Sequence, residues 1–315
     1  MRARSQRNPT NDGGCDNRTR VKVLSARGLR MSNPVGVIRN IAVVRSTVAA
    51  AKATGRTVAL VPTMGALHAG HAELIRAAKR RAGFVVVSIF VNPTQFGPKE
   101  DFGQYPRTLD ADRALSVEAG ADSIFAPDAA EMYPEGFSSF VEVPKLDAVL
   151  CGPRRPGHFR GVCTVVLKLF NIVRPDIAVF GAKDAQQCII LQKMVRDLDV
   201  PVEMQIEPTV REPDGLAMSS RNRYLSPVER LLAPRIFEAL QSARSRAETG
   251  ERDVAALQSG LHADLAAIPG ARVDYVDILD AQSLEAIDQL TKAAIAAVAV
   301  FLGGTRLIDN VMLGG

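Results

Sequence analysis

Residues 58–71 read VALVPTMGALHAGH and run directly into AELIRAAKR. An apolar stretch of strand type stops near a proline, a loop of small residues follows, and a helical pattern begins. Two of the chain's four histidines, His68 and His71, stand three apart at that helix entrance. A strand-to-helix junction presents backbone N–H groups and the positive end of a helix dipole, so it favours anions. Paired imidazoles there can donate to phosphate oxygens and stabilise charge growing on phosphorus. Gly70 would admit a phosphate closely, and Thr63, Met64 and Gly65 complete the constellation. A helix cap with incidental histidines would read the same. The stretch is not a P-loop, because G-x-x-x-x-G-K-[ST] is absent, and no G-x-G-x-x-G follows a strand. The Cys and His spacing supplies no four-ligand zinc site.

Three further segments carry chemistry. FGAKDAQQ (180–187) is again strand, turn and helix. Lys183 can meet a triphosphate as a point charge, Asp184 is a candidate helix cap, and Gln187 follows one turn later. GLAMSSRN (215–222) sets two hydroxyls and Arg221 in a glycine-containing loop; the guanidinium fork suits phosphate oxygens. In SIFVNPTQFGPKEDFGQYPRTLDAD (88–112), Asn92 and Gln95 leave a strand at its carboxyl end and suit the hydroxyl and carboxylate of a small polar substrate. Taken singly, each is also compatible with an ordinary cap or a polar turn. No Ser-His-Asp or Cys-His nucleophile stands out. A cationic, donor-rich inventory fits phosphoryl-type transfer, in which positioning and electrostatics dominate.

These segments need a scaffold that brings them together. The spacing predicts strands over 56–62, 84–92, 122–127, 176–181 and 202–208. Helices are predicted over 71–83, 108–120 (Thr108 its candidate cap), 161–173 and 184–198. Continuous apolar strands alternating with helices imply a parallel sheet covered on both faces, with ligands beyond the carboxyl ends of the strands. After residue 210 the texture changes to two helices over 227–268 and strands over 271–280, 293–303 and 305–313. The fold expected is α/β, a parallel-sheet domain over 32–209 plus a smaller α+β C-terminal domain over 210–315.

The chain has 315 residues and a net charge of +5. Residues 1–31 hold eight Lys or Arg and two Asp, so the rest carries a balance of −1. The basic excess belongs to a polar, aperiodic tail expected to be disordered, not to a nucleic-acid-binding face. The tail has the Arg/Ser bias of an organellar transit peptide; a start of translation at Met31 is the simpler reading. No apolar run is long enough to span a membrane. The four scattered cysteines, Cys15, Cys151, Cys163 and Cys188, read as free thiols of a reducing compartment.

VPTMGALHAGH, SIFVNPTQFGPKEDF, YPRTL, GHFRGVCTVV, FGAKDAQQ, PTVREPDGLAMSSRNRYLS and TRLIDNVML, in this order, resemble the pantothenate synthetase (pantoate–β-alanine ligase) family over nearly all of residues 32–315. The resemblance implies a Rossmann-like nucleotidylyltransferase domain and a smaller C-terminal domain. It implies ATP, Mg²⁺, D-pantoate and β-alanine as ligands, a cytoplasmic homodimer, and no nucleic-acid or membrane partner. Carried over by position, Met64, Gly65, Ala66, Leu67, His68, Ala69, Gly70 and His71 form the ATP motif, His71 being the catalytic histidine. Gly181, Ala182, Lys183 and Asp184 bind ATP, with Lys183 on the phosphates. Val210, Met218, Ser219, Ser220 and Arg221 complete the nucleotide site. Gln95 and Gln187, with Asn92 beside them, hold the substrate. His68, His71, Lys183 and Arg221 form the catalytic set.

The chain departs from the family pattern at Ala69 and Ala182, where Glu is usual or frequent, and at Ala185, often aromatic. Ala111 stands where an acidic residue commonly precedes Asp112, so no protein ligand for Mg²⁺ is carried over. The expected reaction condenses D-pantoate with β-alanine through a pantoyl adenylate, releasing pyrophosphate and AMP. The alternatives are an adenylyltransferase acting on a phosphorylated coenzyme precursor, which needs a basic acceptor pocket in place of Gln95 and Gln187, and a non-catalytic nucleotide- or RNA-binding protein with a basic arm.

Overall fold

The computed structural model describes residues 35–98 and 100–314, which belong to one compact unit; the predicted tail over 1–31 lies outside the described residues. Six strands, β1 (Val37–Ile38), β2 (Val58–Thr63), β3 (Phe84–Ile89), β4 (Ser123–Phe125), β5 (Ile177–Gly181) and β6 (Glu203–Glu207), form one sheet in the order β1-β4-β3-β2-β5-β6. Every pairing in it is parallel. β2 lies between β3 and β5, and the chain order reverses there, which makes the carboxyl ends of β2 and β5 the switch point at which such sheets bind ligands.

Six helices accompany this sheet: α1 (Ile41–Ala53), α2 (Ala69–Arg81), α3 (Leu109–Glu118), the single-turn α4 (Ala129–Met132), α5 (His158–Val173) and α6 (Ala185–Asp197). Both faces of β2 are dry. Ala59 and Val61 pack with Ile75 and Ala78 of α2, while Val58 and Leu60 join the core built on α1, α5 and α6. Burial on both faces is the reason the strands read as continuous apolar runs.

Beyond residue 210 come α7 (Pro227–Leu232), α8 (Arg235–Glu248) and α9 (Val254–Ala266), then an antiparallel sheet of β7 (Ala271–Asp280), β8 (Ala294–Leu302) and β9 (Thr305–Leu313), with β8 in the middle. Where two helices are expected over 227–268, three occur. Ser226 and Glu229 close a capping box that starts α7 separately. β8 is apolar at every position because it too is buried on both sides. Ala294, Ala296, Val298 and Val300 face α8 and α9, while Ile295 and Ala297 pack into the core of the parallel sheet. The α/β expectation, a parallel sheet followed by a smaller α+β part, agrees with this architecture.

Candidate active site

The loop after β2 turns through two successive left-handed residues, Gly65 (φ +84°) and Ala66 (φ +51°). Successive amides in such a turn form an anion-binding concavity. Here a buried carboxylate occupies it: Asp112 of α3 accepts from the Ala66 amide at 3.0 Å and the Leu67 amide at 2.8 Å. Thr108, expected to cap α3, instead donates its hydroxyl to Asp112. Gly65 is confined as well, since a Cβ there would stand 3.0 Å from Asp112 Oδ2.

The two histidines then cap the start of α2 reciprocally. His68 is the N-cap of α2 and its Nδ1 accepts from the Gly70 amide at 3.2 Å; Nδ1 of His71 accepts from the His68 amide at 3.3 Å. This reciprocal capping starts the helix at Ala69, two residues before the predicted start. With both Nδ1 atoms accepting, each ring carries its proton on Nε2. Burial, together with the neighbouring Lys183 ammonium, lowers the pKa of His68 to about 4. Burial, then the His68 ring and Lys183, take His71 to about 3. The rings, 4.1 Å apart between centroids, are therefore neutral N–H donors near neutral pH. The amides of residues 66, 67, 68 and 70 are all satisfied within the protein, which leaves the imidazole Nε2–H groups as the donors that this junction offers. Gly70 makes room for a side chain: a Cβ there would lie 2.9 Å from His68 Cε1.

Across the switch point, β5 delivers Gly181 and a 3₁₀ turn, Ala182–Asp184, before α6. Asp184 makes no capping bond to α6, contrary to its expected role; it lies 3.9 Å from the Lys183 ammonium. After β6, the Met218 amide donates to the Val210 carbonyl, and Ser219 starts a 3₁₀ turn that contains Ser220 and Arg221.

The third wall comes from the turn after β3 and from α5. Asn92 is almost fully buried, and its amide is committed to the scaffold. Nδ2 donates to the Gln95 side-chain carbonyl and to the Gly161 carbonyl, while Oδ1 accepts from Thr94 and from the Tyr133 hydroxyl. Gln95 in turn donates to the Met64 sulfur at 3.0 Å. His158, at the start of α5, donates from Nδ1 to the Gln95 backbone carbonyl at 2.8 Å and accepts on Nε2 from Arg155. Arg155 completes the chain with a two-pronged pair to Glu100, at 2.7 and 2.6 Å. Burial and the Arg155 charge lower the His158 pKa to about 4, which keeps this ring neutral too.

These walls enclose one cleft. Met64, His68, Gly70, His71, Asn92, Gln95, Gly181, Lys183, Asp184, Gln187, Val210, Met218, Ser219, Ser220 and Arg221 all line it. A sequence profile described as pantoate-beta-alanine ligase matches residues 36–312. The chain belongs to the pantoate–β-alanine ligase family. It is 51% identical over 277 residues to the pantothenate synthetase of Moorella thermoacetica, covering 88% of this chain and 98% of the relative. The Geobacter sulfurreducens enzyme is 53% identical over 264 residues, 84% of this chain and 93% of its own length. Among solved structures, pantothenate synthetase from Thermus thermophilus superimposes with a TM-score of 0.84 at 46% identity, covering 89% of this chain and 99% of that one. The Francisella tularensis pantoate-beta-alanine ligase, complexed with beta-gamma ATP and beta-alanine, gives 0.73 at 32% identity over 88% and 97% of the two chains.

Within this family site, five carried-over positions do not reach the cleft wall. Gly65, Ala66 and Leu67 form the turn behind the histidines, Ala69 lies on the surface, and Ala182 opens the lysine turn without lining the cleft. Reasoning from sequence assigned nothing to Arg155, His158 or Tyr105, which line the cleft, nor to Glu100 and Asp112, which hold its walls. The signal for His158 was present in GHFRG: a histidine beside glycines at a helix start, as at His68.

Proposed function

We propose that this ligase joins D-pantoate to β-alanine in two steps, in the cleft where the histidine pair, Lys183 and the two glutamines converge. That convergence on the switch point of the parallel sheet is the observation that carries the assignment of roles. First, a pantoate carboxylate oxygen attacks the α-phosphorus of ATP; the bond to the bridging oxygen breaks, and pyrophosphate leaves with that electron pair. The β-alanine amine then attacks the acyl carbon of the adenylate, the acyl–oxygen bond breaks, AMP leaves, and the amine gives up a proton.

In this reading His68 and His71 donate Nε2–H to phosphate oxygens as neutral groups, while Lys183 and Arg221 supply positive charge. Gly181, Asp184, Val210, Met218, Ser219 and Ser220 shape the nucleotide site. Gln95 and Gln187 hold pantoate, and Asn92 serves by fixing Gln95 rather than by touching substrate. The chemistry requires no covalent nucleophile, and the three described cysteines are free and two of them buried. Holding the reactants together could supply up to about 7–11 kcal/mol of the acceleration.

Among the described residues, no group of three or more His, Cys, Asp or Glu side chains converges on a metal position. Both oxygens of Asp112 are already taken by backbone amides. Mg²⁺ is therefore assigned to the nucleotide as substrate MgATP. The change from a parallel to an antiparallel sheet supports a domain boundary near residue 210, with Ile295 and Ala297 of β8 packing across it into the core of the parallel sheet. The cytoplasmic, homodimeric state implied by the family completes the proposal. Among the described residues no helix is long and apolar enough to cross a membrane. The deciding assay is exchange of labelled pyrophosphate into ATP without β-alanine. Exchange that requires D-pantoate supports the ligase; exchange that requires a phosphorylated acceptor instead supports the adenylyltransferase alternative.

A further inference from the structure

Residues 309 and 310 of β9 are Asp-Asn, and successive strand side chains leave on opposite sides. The Asn310 side-chain amide donates to the backbone carbonyls of Ala182 and Lys183, both at 3.0 Å. Asp309, itself buried, takes a two-pronged pair from Arg211 at 2.6 and 2.9 Å and also accepts from the Asn310 amide. Arg211 adjoins Val210, bridges to Ala217, and stacks its guanidinium 3.5 Å over Phe237. One dipeptide of the C-terminal sheet thus grips both nucleotide-lining segments: the lysine turn by its carbonyls, and the 210–221 loop through Arg211.

We propose that Asn310 is a positioning residue for the adenylation step: by holding the Ala182 and Lys183 carbonyls its side chain fixes the direction of the Lys183 ammonium. A side chain from outside the turn reaches across to hold its first two carbonyls. Asn310 is the side chain that does so, and its two amide hydrogens match two acceptors.

The inference rests on the ligase reading for its assay. The test compares Asn310→Ala and the isosteric Asn310→Asp with the parent in pantoate-dependent pyrophosphate exchange and in MgATP binding by calorimetry, each with Lys183 intact and with Lys183→Ala. The parent must first exchange; its failure to do so counts against the ligase reading, and the binding arm then tests Asn310 alone. The expected result is a roughly 10- to 100-fold loss of exchange turnover, weaker MgATP binding, and a pantoate KM within about twofold of the parent. In the Lys183→Ala background, Asn310→Ala should cost no more than about twofold further, because residues acting as a unit are not additive. Near-parent turnover and binding in both Asn310 variants would overturn the proposal. Full additivity with Lys183→Ala would do the same, as would loss of fold in both variants, since each assigns Asn310 a purely structural role.

Discussion

Asp112 holds the Ala66 amide at 3.0 Å from one carboxylate oxygen while the other holds Leu67. An acid on α3 thereby fixes the left-handed turn that aims the histidine pair. Two amides turned toward one buried carboxylate would be left unpaired by its loss, at a cost of about 1–3 kcal/mol. Asp112→Ala should lower stability by about that amount in urea titration and reduce exchange turnover ~10- to 100-fold by displacing His68 and His71. Asp112→Asn keeps the volume but must point its NH₂ at an amide N–H, so it should fall on the same side. Parent-like turnover in both would remove Asp112 from the positioning of the site.

Lys183 and His71 are asked to do different work, and the difference is measurable. In the proposed reading Lys183 supplies full charge and His71 one oriented N–H donor; His71 also caps α2 through its Nδ1. Removing either should cost about 100-fold or more in turnover, on the scale of a lost oxyanion-hole donor. Only the His71 change should also lower stability, by about 1 kcal/mol for the lost cap. The check is His71→Ala against Lys183→Ala in exchange kinetics and thermal melts. Activity near the parent level in both would refute the assigned roles.

Much of this was legible in the sequence. Continuous apolar runs at β2, β3 and β5 identify a sheet buried on both faces, and the chemistry-bearing residues sit at its strand ends, where the fold needs them. Less visible were elements whose signal is short or split. β1 is two residues long, too brief for any periodicity, and α1 has apolar residues on several faces, although Asn40 caps it with a side-chain oxygen. Thr108 and Asp184 look like helix caps by residue type, but neither side chain caps: the Thr108 hydroxyl goes to Asp112 one turn on, which the Ala66 and Leu67 amides hold in place, and Asp184 makes no capping bond. Asp112, Glu100 and Asn310 act across 45, 55 and 128 positions of chain, and no local pattern reports such pairings.

The neutral histidines predict a definite pH dependence. In the unfolded chain an imidazole titrates near 6.5, but in the fold His68 and His158 titrate at about 4 and His71 at about 3. Their folded values lie below the unfolded one. Between pH 6.5 and about 4 the unfolded chain therefore binds protons that the folded chain refuses, and stability falls as pH falls through that window. Above 6.5 these rings contribute no slope. Protonation also fills the Nδ1 lone pairs that cap α2, so the loss is structural as well. Urea midpoints measured from pH 7.5 to 5.0 should be flat and then decline, and His71→Gln should show a shallower decline. A decline as steep in His71→Gln as in the parent would contradict a depressed pKa at that ring.

Gly161 offers the sharpest steric test of the wall proposed to hold pantoate. A Cβ on it would stand 2.4 Å from the Thr94 carbonyl oxygen and 2.7 Å from the Gln95 Cα, both backbone atoms that no rotamer change can move. Its own carbonyl also receives the Asn92 amide. Gly161→Ala must therefore push α5 and the 93–95 turn apart and carry Gln95 with it. Overpacking of this kind costs about 1–3 kcal/mol. The kinetic signature should be selective: pantoate KM rises ~10-fold or more while the KM for ATP stays within about twofold, because the lysine turn and the 210–221 loop lie on other walls of the cleft. Steady-state exchange kinetics with each substrate varied in turn give the comparison. An equal rise in both constants would mean that this contact supports the whole cleft and not the pantoate end alone.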